Sequence, residues 1–473
     1  MADERRDRDH AADDVVENPS HRQIKQAIVS IEDGDFISSM PDEILHHILT
    51  SIPTDLAITT SVLSKRWRHV WCETPCLYIN NFRSQAINQT LTSYRAPTIM
   101  SFNLHIWVDH TAPQIESWIA FAMSRNVQKL SLTFGISLPD ECYISFQDYF
   151  YISSSLEQLK VTSNDIIPRC TVSWKSLRKL SLISCKFGDK SIANILSGSP
   201  KLETLRLYDC DSLRRLDLTK SPILKTLEIF GSLRYQNRGP VEIIAPHIRY
   251  LKLINSSQPC TLANVSSLTE ADIDICTYGS FDADFVQTMV LKMLPKLQNV
   301  ERITLSRSLL QILSLAEFLG VHFSTLKVQI LIVTTILVRS VVPGIARLLQ
   351  NSPGLKKLIL HATHSFNIPD KNFNSYMNLL GLDPDQCWSS RDKAFPTTPE
   401  IKSTLDLQSV TPDLLASFIT LVLRNAKTLE TVVVLLDKRC YSDDANLFEE
   451  LLRMARTLSH NNNVSILLKR GHW

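Results

Sequence analysis

Residues 177–210 read LRKLSLISCKFGDKSIANILSGSPKLETLRLYDC and contain one apolar pattern twice. The pattern is L-x-x-L-x-L with a cysteine three positions after the last apolar residue, and the second copy begins 25 positions after the first. Successive side chains of a β-strand point to opposite faces, so each copy predicts a short strand with one buried face. The copies lie at Leu177, Leu180, Leu182, Cys185 and at Leu202, Leu205, Leu207, Cys210.

The same pattern recurs on both sides of this stretch, from about residue 126 onward. Most copies are spaced in the twenties, which is the period of leucine-rich repeats. Two copies follow their predecessors by only 11 positions, so those turns are either shortened or counted twice. Because each repeat buries its apolar residues only against its neighbours, the array predicts a curved solenoid. The further copies are Leu156, Leu159, Val161; Leu213, Leu216, Leu218; Leu224, Leu227, Ile229; Ile248, Leu251, Leu253; and Leu268, Ala271, Ile273.

A small polar or thiol residue follows several of these strands by three positions. In a leucine-rich repeat this Asn/Cys position caps the backbone where the chain bends away from the strand. The residues that occupy it are Asn164, Cys185, Cys210 and Cys276. Structural thiols of this kind, without a neighbouring His/Asn motif to activate them, do not indicate catalysis.

Residues between the leucines are predicted to point outward on the concave side of the solenoid. Charges of both signs alternate there with aromatic side chains, a mixture that suits a protein or peptide partner better than a polyanion. The alternative is an ordinary solvated face, which has a similar composition. Asp217 and Asp272 are among these outward positions. Those that we predict to bind a target are Arg206, Tyr208, Glu228, Phe230, Tyr250 and Lys252.

A second kind of pattern precedes the repeats, in FISSMPDEILHHILTSIPTDLAITTSVLSKRWRHVWCETPCLYI, residues 36–79. A Pro-and-acid start at Pro41 and Asp42 followed by apolar residues at helical spacing predicts one helix, which ends before Pro53, and one or two more helices after it. A unit of about 45 residues is too small to bury so much apolar surface alone. The excess therefore packs either on the solenoid, as a helical cap, or on another protein.

This stretch closely resembles the F-box of plant F-box proteins, with Met40 where leucine is usual and Asp55 where a basic residue is common. The resemblance implies that the chain is the non-catalytic substrate-receptor subunit of a multi-subunit ubiquitin ligase. Its F-box would bind a Skp-type adaptor, which links to a cullin-RING ligase, and its repeats would bind an unknown target protein in the nucleus and/or cytoplasm. The residues that we predict to contact the adaptor are Met40, Pro41, Ile44, Leu45, Ile48, Leu49, Val62, Leu63 and Trp67. Some of these side chains must instead pack the F-box itself, and the sequence does not divide the two groups.

The C-terminal part loses the repeat pattern after about residue 361. We predict that residues 361–410 form an irregular connection. We predict that residues 411–473 form an α/β cap, which loosely resembles the FBD-type region of plant F-box/leucine-rich proteins. Within the cap we expect helices at 414–425 and 445–458 and strands at 431–436 and 464–468. The whole is an α/β chain of five segments, namely a disordered tail (1–34), an all-α F-box (35–80), a leucine-rich-repeat solenoid (81–360), the connection and the cap.

Composition argues against several other functions. The formal net charge of +2 offers no broad surface for nucleic acid, and the apolar run 328–338 is too short for a membrane helix. No P-loop, G-x-G-x-x-G, G-x-S-x-G or H-E-x-x-H motif and no zinc-ligand spacing occurs, so neither a cofactor nor a metal is predicted. Two alternatives stay open beside the ubiquitin-ligase receptor: a small-molecule (hormone) sensor, which requires a polar pocket, and a non-degradative scaffold.

Overall fold

The computed structural model describes most of the chain outside its N-terminal tail, in two compact units. The first unit includes the described residues up to Leu77 together with Ser93–Ala96, and the second includes Tyr78–Thr92 and the residues from Pro97 onward. The predicted tail, most of the predicted connection, Asn164 and Cys276 lie outside the described residues. The structure describes residues 40–80, 83–106, 111–135, 144–163, 165–210, 212–231, 241–255, 260–275, 283–322, 324–362, 370–384, 387, 410–437 and 445–471.

The first unit is built from short helices around an apolar core. Helices α1 and α2 follow Pro41 and Pro53, whose extended backbone and missing N–H suit the residue just before a helix. The core consists of Leu45, Leu49, Ala57, Trp67, Val70, Trp71 and Cys72. The helices are α1 (Asp42–Thr50), α2 (Thr54–Thr59) and α3 (Trp67–Val70), with 3-10 turns at Thr60–Val62 and Trp71–Glu73.

The main sheet has 14 strands, 13 of them wholly within the second unit, and their spatial order follows the chain. The pairings described from β2 to β19 are parallel, and equivalent leucines meet across neighbouring strands, as in Leu159, Leu180, Leu205 and Leu227. This arrangement confirms the predicted repeat architecture. The strands of this main sheet are β1 (Cys76–Asn80), β2 (Ser101–Ile106), β3 (Lys129–Phe134), β5 (Gln158–Thr162), β7 (Lys179–Ile183), β8 (Thr204–Tyr208), β10 (Thr226–Phe230), β12 (Tyr250–Asn255), β14 (Glu270–Ile275), β15 (Arg302–Ser306), β16 (Ile330–Thr335), β17 (Lys357–Ala362), β18 (Thr431–Asp437) and β19 (Ser465–Gly471).

Helices connect many of these strands, as the return of each parallel strand to the sheet requires. The helices Arg307–Phe318 and Val342–Gln350 approach each other closely at Gly344, whose backbone N–H donates to the Ser314 hydroxyl over 2.8 Å. The helices are α4 (Ser84–Ser93), α5 (Ala112–Ser124), α6 (Asp148–Tyr151), α7 (Asp189–Ser197), α8 (Ala283–Met293), α9 (Arg307–Phe318), α10 (Val342–Gln350), α11 (Asp370–Leu379), α12 (Pro412–Asn425) and α13 (Ala445–Asn462), with 3-10 turns at Leu294–Leu297 and Arg339–Val341.

Two smaller sheets lie apart from the main sheet. One pairs β4 (Ile152–Ser153) with β6 (Ser173–Trp174), and the other has the order β13 (Cys260–Asn264), β11 (Val241–Ile244), β9 (Arg215–Asp217). The predicted repeat at Leu213–Leu218 is therefore wrong as a strand of the main sheet, because β9 pairs with β11. A spacing of 11 residues is about half of one repeat. It allows the chain to form a strand of the smaller three-stranded sheet before it returns to the main sheet at β10. Asp217 consequently does not share a face with Arg206.

The bend after the strand is the same in three successive repeats. Ser163, Ser184 and Asp209 have positive φ angles of 59°, 51° and 54°. Each donates its backbone N–H to the last carbonyl of the next strand, over 2.8, 2.7 and 2.8 Å. The predicted Cys position follows directly, and the Cys185 and Cys210 thiols donate to the Ile183 and Tyr208 carbonyls at the bend. Burial raises the pKa of Cys210 well above its usual value, in keeping with a structural thiol.

The C-terminal segment continues the main sheet. The predicted helices and strands are present as α12, β18, α13 and β19, but β18 pairs in register with β17 and β19 with β18. The predicted cap is thus two further strand-and-helix units of the same array. Within the range predicted to be irregular, residues 370–379 form helix α11.

Candidate adaptor surface and open face

The structure separates the predicted adaptor-binding residues into exposed and buried groups. Ile44, Ile48, Val62 and Leu63 are 48%, 41%, 84% and 61% exposed, and Pro41 is exposed as well. Leu56, which the sequence pattern places among the apolar residues, is 52% exposed and joins them. We call Ile44, Ile48, Leu56, Val62 and Leu63 the aliphatic surface of the first unit. Single exposed aliphatic side chains are ordinary on a protein surface, and here five of them fall within 20 residues of the chain.

The remaining residues of the predicted set pack the F-box unit itself, which the sequence allowed for some of them. Leu45, Leu49 and Trp67 are at most 4% exposed and form the core of the unit, and half-buried Met40 packs against that core. Ile44 and Leu45 are neighbours on α1, about 100° apart around the helix, so one of them faces outward while the other faces the core. At the margin of the unit, Arg66 pairs with the Asp42 carboxylate at the start of α1, with Nε 3.0 Å from Oδ1.

The six predicted target-binding residues lie together on the open face of the main sheet, which consists of the outward side chains of its strands. They occupy three adjacent strands, β8, β10 and β12. The parallel register places Arg206 beside Glu228 and Glu228 beside Lys252, and the next strand places Asp272 beside Lys252. Charges of opposite sign therefore alternate along one row of the face.

Each charge in that row is neutralised by its neighbour. Arg206 Nε lies 3.0 Å from Glu228 Oε1, and Lys252 Nζ lies 3.0 Å from Asp272 Oδ2. The Tyr208 hydroxyl donates to the second Glu228 oxygen over 2.5 Å, and its ring meets the Phe230 ring edge to face at 5.5 Å. Glu228 is only 9% exposed, so its negative charge is held by these two donors rather than offered to a partner.

The protonation of the tyrosines reflects this arrangement. Burial, followed by the hydrogen bond to the Glu228 carboxylate, raises the pKa of Tyr208 to about 12. Burial together with the Asp272 charge also raises the pKa of Tyr250. Burial is the largest single effect on Lys252 and acts to lower its pKa, but the hydrogen bond to Asp272 and the charges of Asp272, Tyr250 and Glu228 together outweigh it, so the pKa is raised. The row is thus a set of coupled, paired charges.

We expect the substitution Glu228→Gln to lower the pKa of Tyr208 from about 12 toward its usual value of 10. Gln removes the negative charge that disfavours the phenolate, although burial still holds the pKa above 10. A pH titration of tyrosine absorbance measures the shift, with the Tyr208→Phe protein subtracted. Because the folded-state pKa is raised, the resulting stabilisation is present below pH 10 and is lost as the pH rises toward 12.

The control for this titration is Glu203→Gln, which removes an exposed carboxylate that is paired with Arg178 elsewhere in the array. Its Tyr208 titration should match that of the unchanged protein. An unchanged Tyr208 pKa in the Glu228→Gln protein would contradict the hydrogen bond described above.

Two other kinds of site are absent from the described part of the chain. None of its helices is both long and apolar enough to cross a bilayer. Within the same residues, no three His, Cys, Asp or Glu side chains are grouped so as to hold a metal ion.

Comparison with known proteins adds an independent line of evidence. Residues 37–77 match the F-box domain, and residues 93–382 match the family described as At1g61320/AtMIF1, LRR domain. The putative F-box/LRR-repeat protein At3g28410 of Arabidopsis thaliana is 54% identical over 461 residues, which cover 96% of this chain and 97% of that protein. F-box/LRR-repeat protein At5g02910 of the same organism is 47% identical over 450 residues, covering 94% and 96% of the two chains.

Proposed function

This chain belongs to the F-box/LRR-repeat family of plant proteins, and on that premise we propose that it is the substrate-recognition subunit of an SCF-type (Skp-cullin-F-box) ubiquitin ligase. Proteins of this family generally have that role and are typically non-catalytic. In this proposal the F-box binds a Skp-type adaptor, the repeats bind a target protein, and the assembly acts in the nucleus and/or cytoplasm. The chain promotes ubiquitination by holding the target near the activated ubiquitin, which raises its effective concentration.

The observation that carries the proposal is the aliphatic surface of the first unit. Its side chains are exposed although the unit already has a core of its own, made by Leu45, Leu49 and Trp67 with their neighbours. Val62 and Leu63 are the most exposed of the set, at 84% and 61%, and lie at the turn after α2. Large aliphatic side chains in water favour burial by about 25 cal/mol per Å² of apolar area, so this surface favours association with a partner.

We expect the double substitution Val62→Asp with Leu63→Asp to weaken binding of a Skp-type adaptor by about a hundredfold or more. Central interface side chains contribute about 2 kcal/mol or more each, and an unpaired charge buried against the adaptor adds a further cost. Titration calorimetry of the full chain with a recombinant Skp-type adaptor measures the loss. The unit should remain folded, because both side chains are on its surface.

The matched control is Ser51→Asp, which adds a negative charge at an exposed polar position just after α1. It should change the adaptor affinity by less than about threefold, as expected for a rim charge. Full adaptor binding by the Val62/Leu63 double variant would refute the proposed F-box function.

A further inference from the structure

The charges on the open face differ in the strands that precede Arg206 in the chain. On strands β2, β3, β5 and β7 the outward positions carry no carboxylate at all. Three lysines stand among hydroxyl and amide side chains instead, and all three are exposed. The outward residues of these strands are Ser101, Asn103, His105; Lys129, Ser131, Thr133; Gln158, Lys160, Thr162; and Lys179, Ser181, Ile183.

The register places the three lysines in one compact group. Lys129 and Lys179 occupy the same row, with Gln158 between them on β5, and Lys160 lies one row further along β5. Neighbouring strands are about 4.8 Å apart, so the backbones at Lys129 and Lys179 are separated by about 10 Å. We call Lys129, Lys160 and Lys179 the lysine face.

Among the described residues, the positive charges of this face lack the carboxylate partners that the charges downstream have. Arg206 and Lys252 each have a carboxylate at about 3.0 Å on the adjacent strand. In contrast, the ion pairs found within the described residues include none that involves the lysine face. The field of Lys160 reaches His105, whose pKa is lowered by burial and then by that positive charge.

We infer that an acidic, carboxylate-rich segment of the target protein docks on the lysine face, an inference that rests on the proposed function. Three exposed cations within about 10 Å match the spacing of alternate side chains of an extended peptide, about 7 Å. The hydroxyl groups of Ser131 and Ser181 flank Lys160 in register and offer further donors to carboxylates.

A polypeptide fits this face better than a nucleic acid. The chain has a formal net charge of +2, which excludes the broad positive potential typical of nucleic-acid binding. The outward positions of β2, β3, β5 and β7 also carry no Phe, Tyr or Trp on which unpaired bases would stack. The target is therefore expected to present glutamate and aspartate side chains rather than a phosphate backbone.

The test uses the full chain bound to its Skp-type adaptor and a fluorescein-labelled peptide of alternating glutamate and glycine, followed by fluorescence anisotropy. The same peptide with glutamine for glutamate is the uncharged reference. The triple variant Lys129→Gln, Lys160→Gln and Lys179→Gln is compared with Lys201→Gln, Lys220→Gln and Lys296→Gln, three exposed lysines outside the open face. Both triples remove the same net charge, so the net charge of the chain changes equally in the two variants.

We expect the lysine-face triple to weaken binding of the acidic peptide by about tenfold and the control triple by less than about twofold. The glutamine peptide should not bind, and added salt should weaken the acidic peptide. Equal losses in the two triples, no binding of the acidic peptide, or tighter binding of a single-stranded RNA of equal charge would each overturn the inference. Adaptor binding and thermal unfolding are measured on every variant. Retained adaptor binding with no acidic-peptide binding would refute the lysine face and leave the proposed function standing.

Discussion

Replacing Leu45 by aspartate is expected to unfold the F-box unit, whereas the same replacement at Ile44, one position earlier, leaves the unit folded and removes adaptor binding. Leu45 is 0% exposed and lies in the core, while Ile44 is 48% exposed. An unpaired carboxylate in an apolar core costs several kcal/mol, which exceeds the stability that a unit of this size can hold in reserve. Hydrogen exchange of the α1 amides in the full chain distinguishes the two outcomes, because only the Leu45 variant should lose protection there.

The repeat array is the internal control of that experiment. Its strands have their own core, so hydrogen-exchange protection of β5, β7 and β8 should be unchanged in both variants. If the Ile44 variant kept full adaptor affinity, or if both variants lost α1 protection alike, the division between the aliphatic surface and the core would be incorrect.

The second large effect is expected at Gly344, in the first turn of α10. A Cβ atom built there would lie 2.3 Å from the Leu310 carbonyl oxygen and 2.9 Å from the Ser314 backbone nitrogen, both on α9. Neither backbone atom can move without separating the two helices, so Gly344→Ala should destabilise the array by about 1–3 kcal/mol or more. The Ser314 hydroxyl would also lose the Gly344 N–H donor. The midpoint of thermal unfolding measures the loss.

Gly354 provides the matched comparison for this substitution. A Cβ atom there meets nothing within 4 Å, so Gly354→Ala should shift stability by less than about 0.5 kcal/mol. Equal unfolding midpoints for the two alanine variants would show that α9 and α10 are not packed as closely as described.

The repeat array and the F-box were both predictable from the sequence, because leucine spacing and the apolar helix pattern are local signals. The division of Ile44 from Leu45 was not, since both lie within a stripe wide enough to cover core and surface together. The strands β1 and β2 were also missed. In β2 the first inward position is Phe102 rather than leucine, which breaks the L-x-x-L-x-L pattern while preserving the alternation of burial.

The charges of the open face show the limit of sequence reasoning for the candidate site. The alternation of apolar and polar residues along each strand identified Arg206, Tyr208 and Glu228 as outward residues. Only the register between the strands shows that Arg206 and Tyr208 both contact Glu228. Whether these residues bind a target stays a prediction. A double alanine substitution at Arg206 and Tyr208 would leave the Glu228 carboxylate, 9% exposed, without its two donors. Its effect on a target would therefore mix lost contacts with local rearrangement.

The continuity of the main sheet across β17 and β18 has a consequence for the order of assembly. Thr431 pairs beside Lys357 although it follows by 74 positions, whereas Thr204 pairs beside Lys179 after only 25. The entropy of loop closure grows with the logarithm of loop length, so the longer excursion costs about 1 kcal/mol more before its strand gains any contact. In an array stabilised by nearest neighbours, this extra cost falls on the link between β17 and β18. The two C-terminal strands are consequently expected to join the growing sheet last.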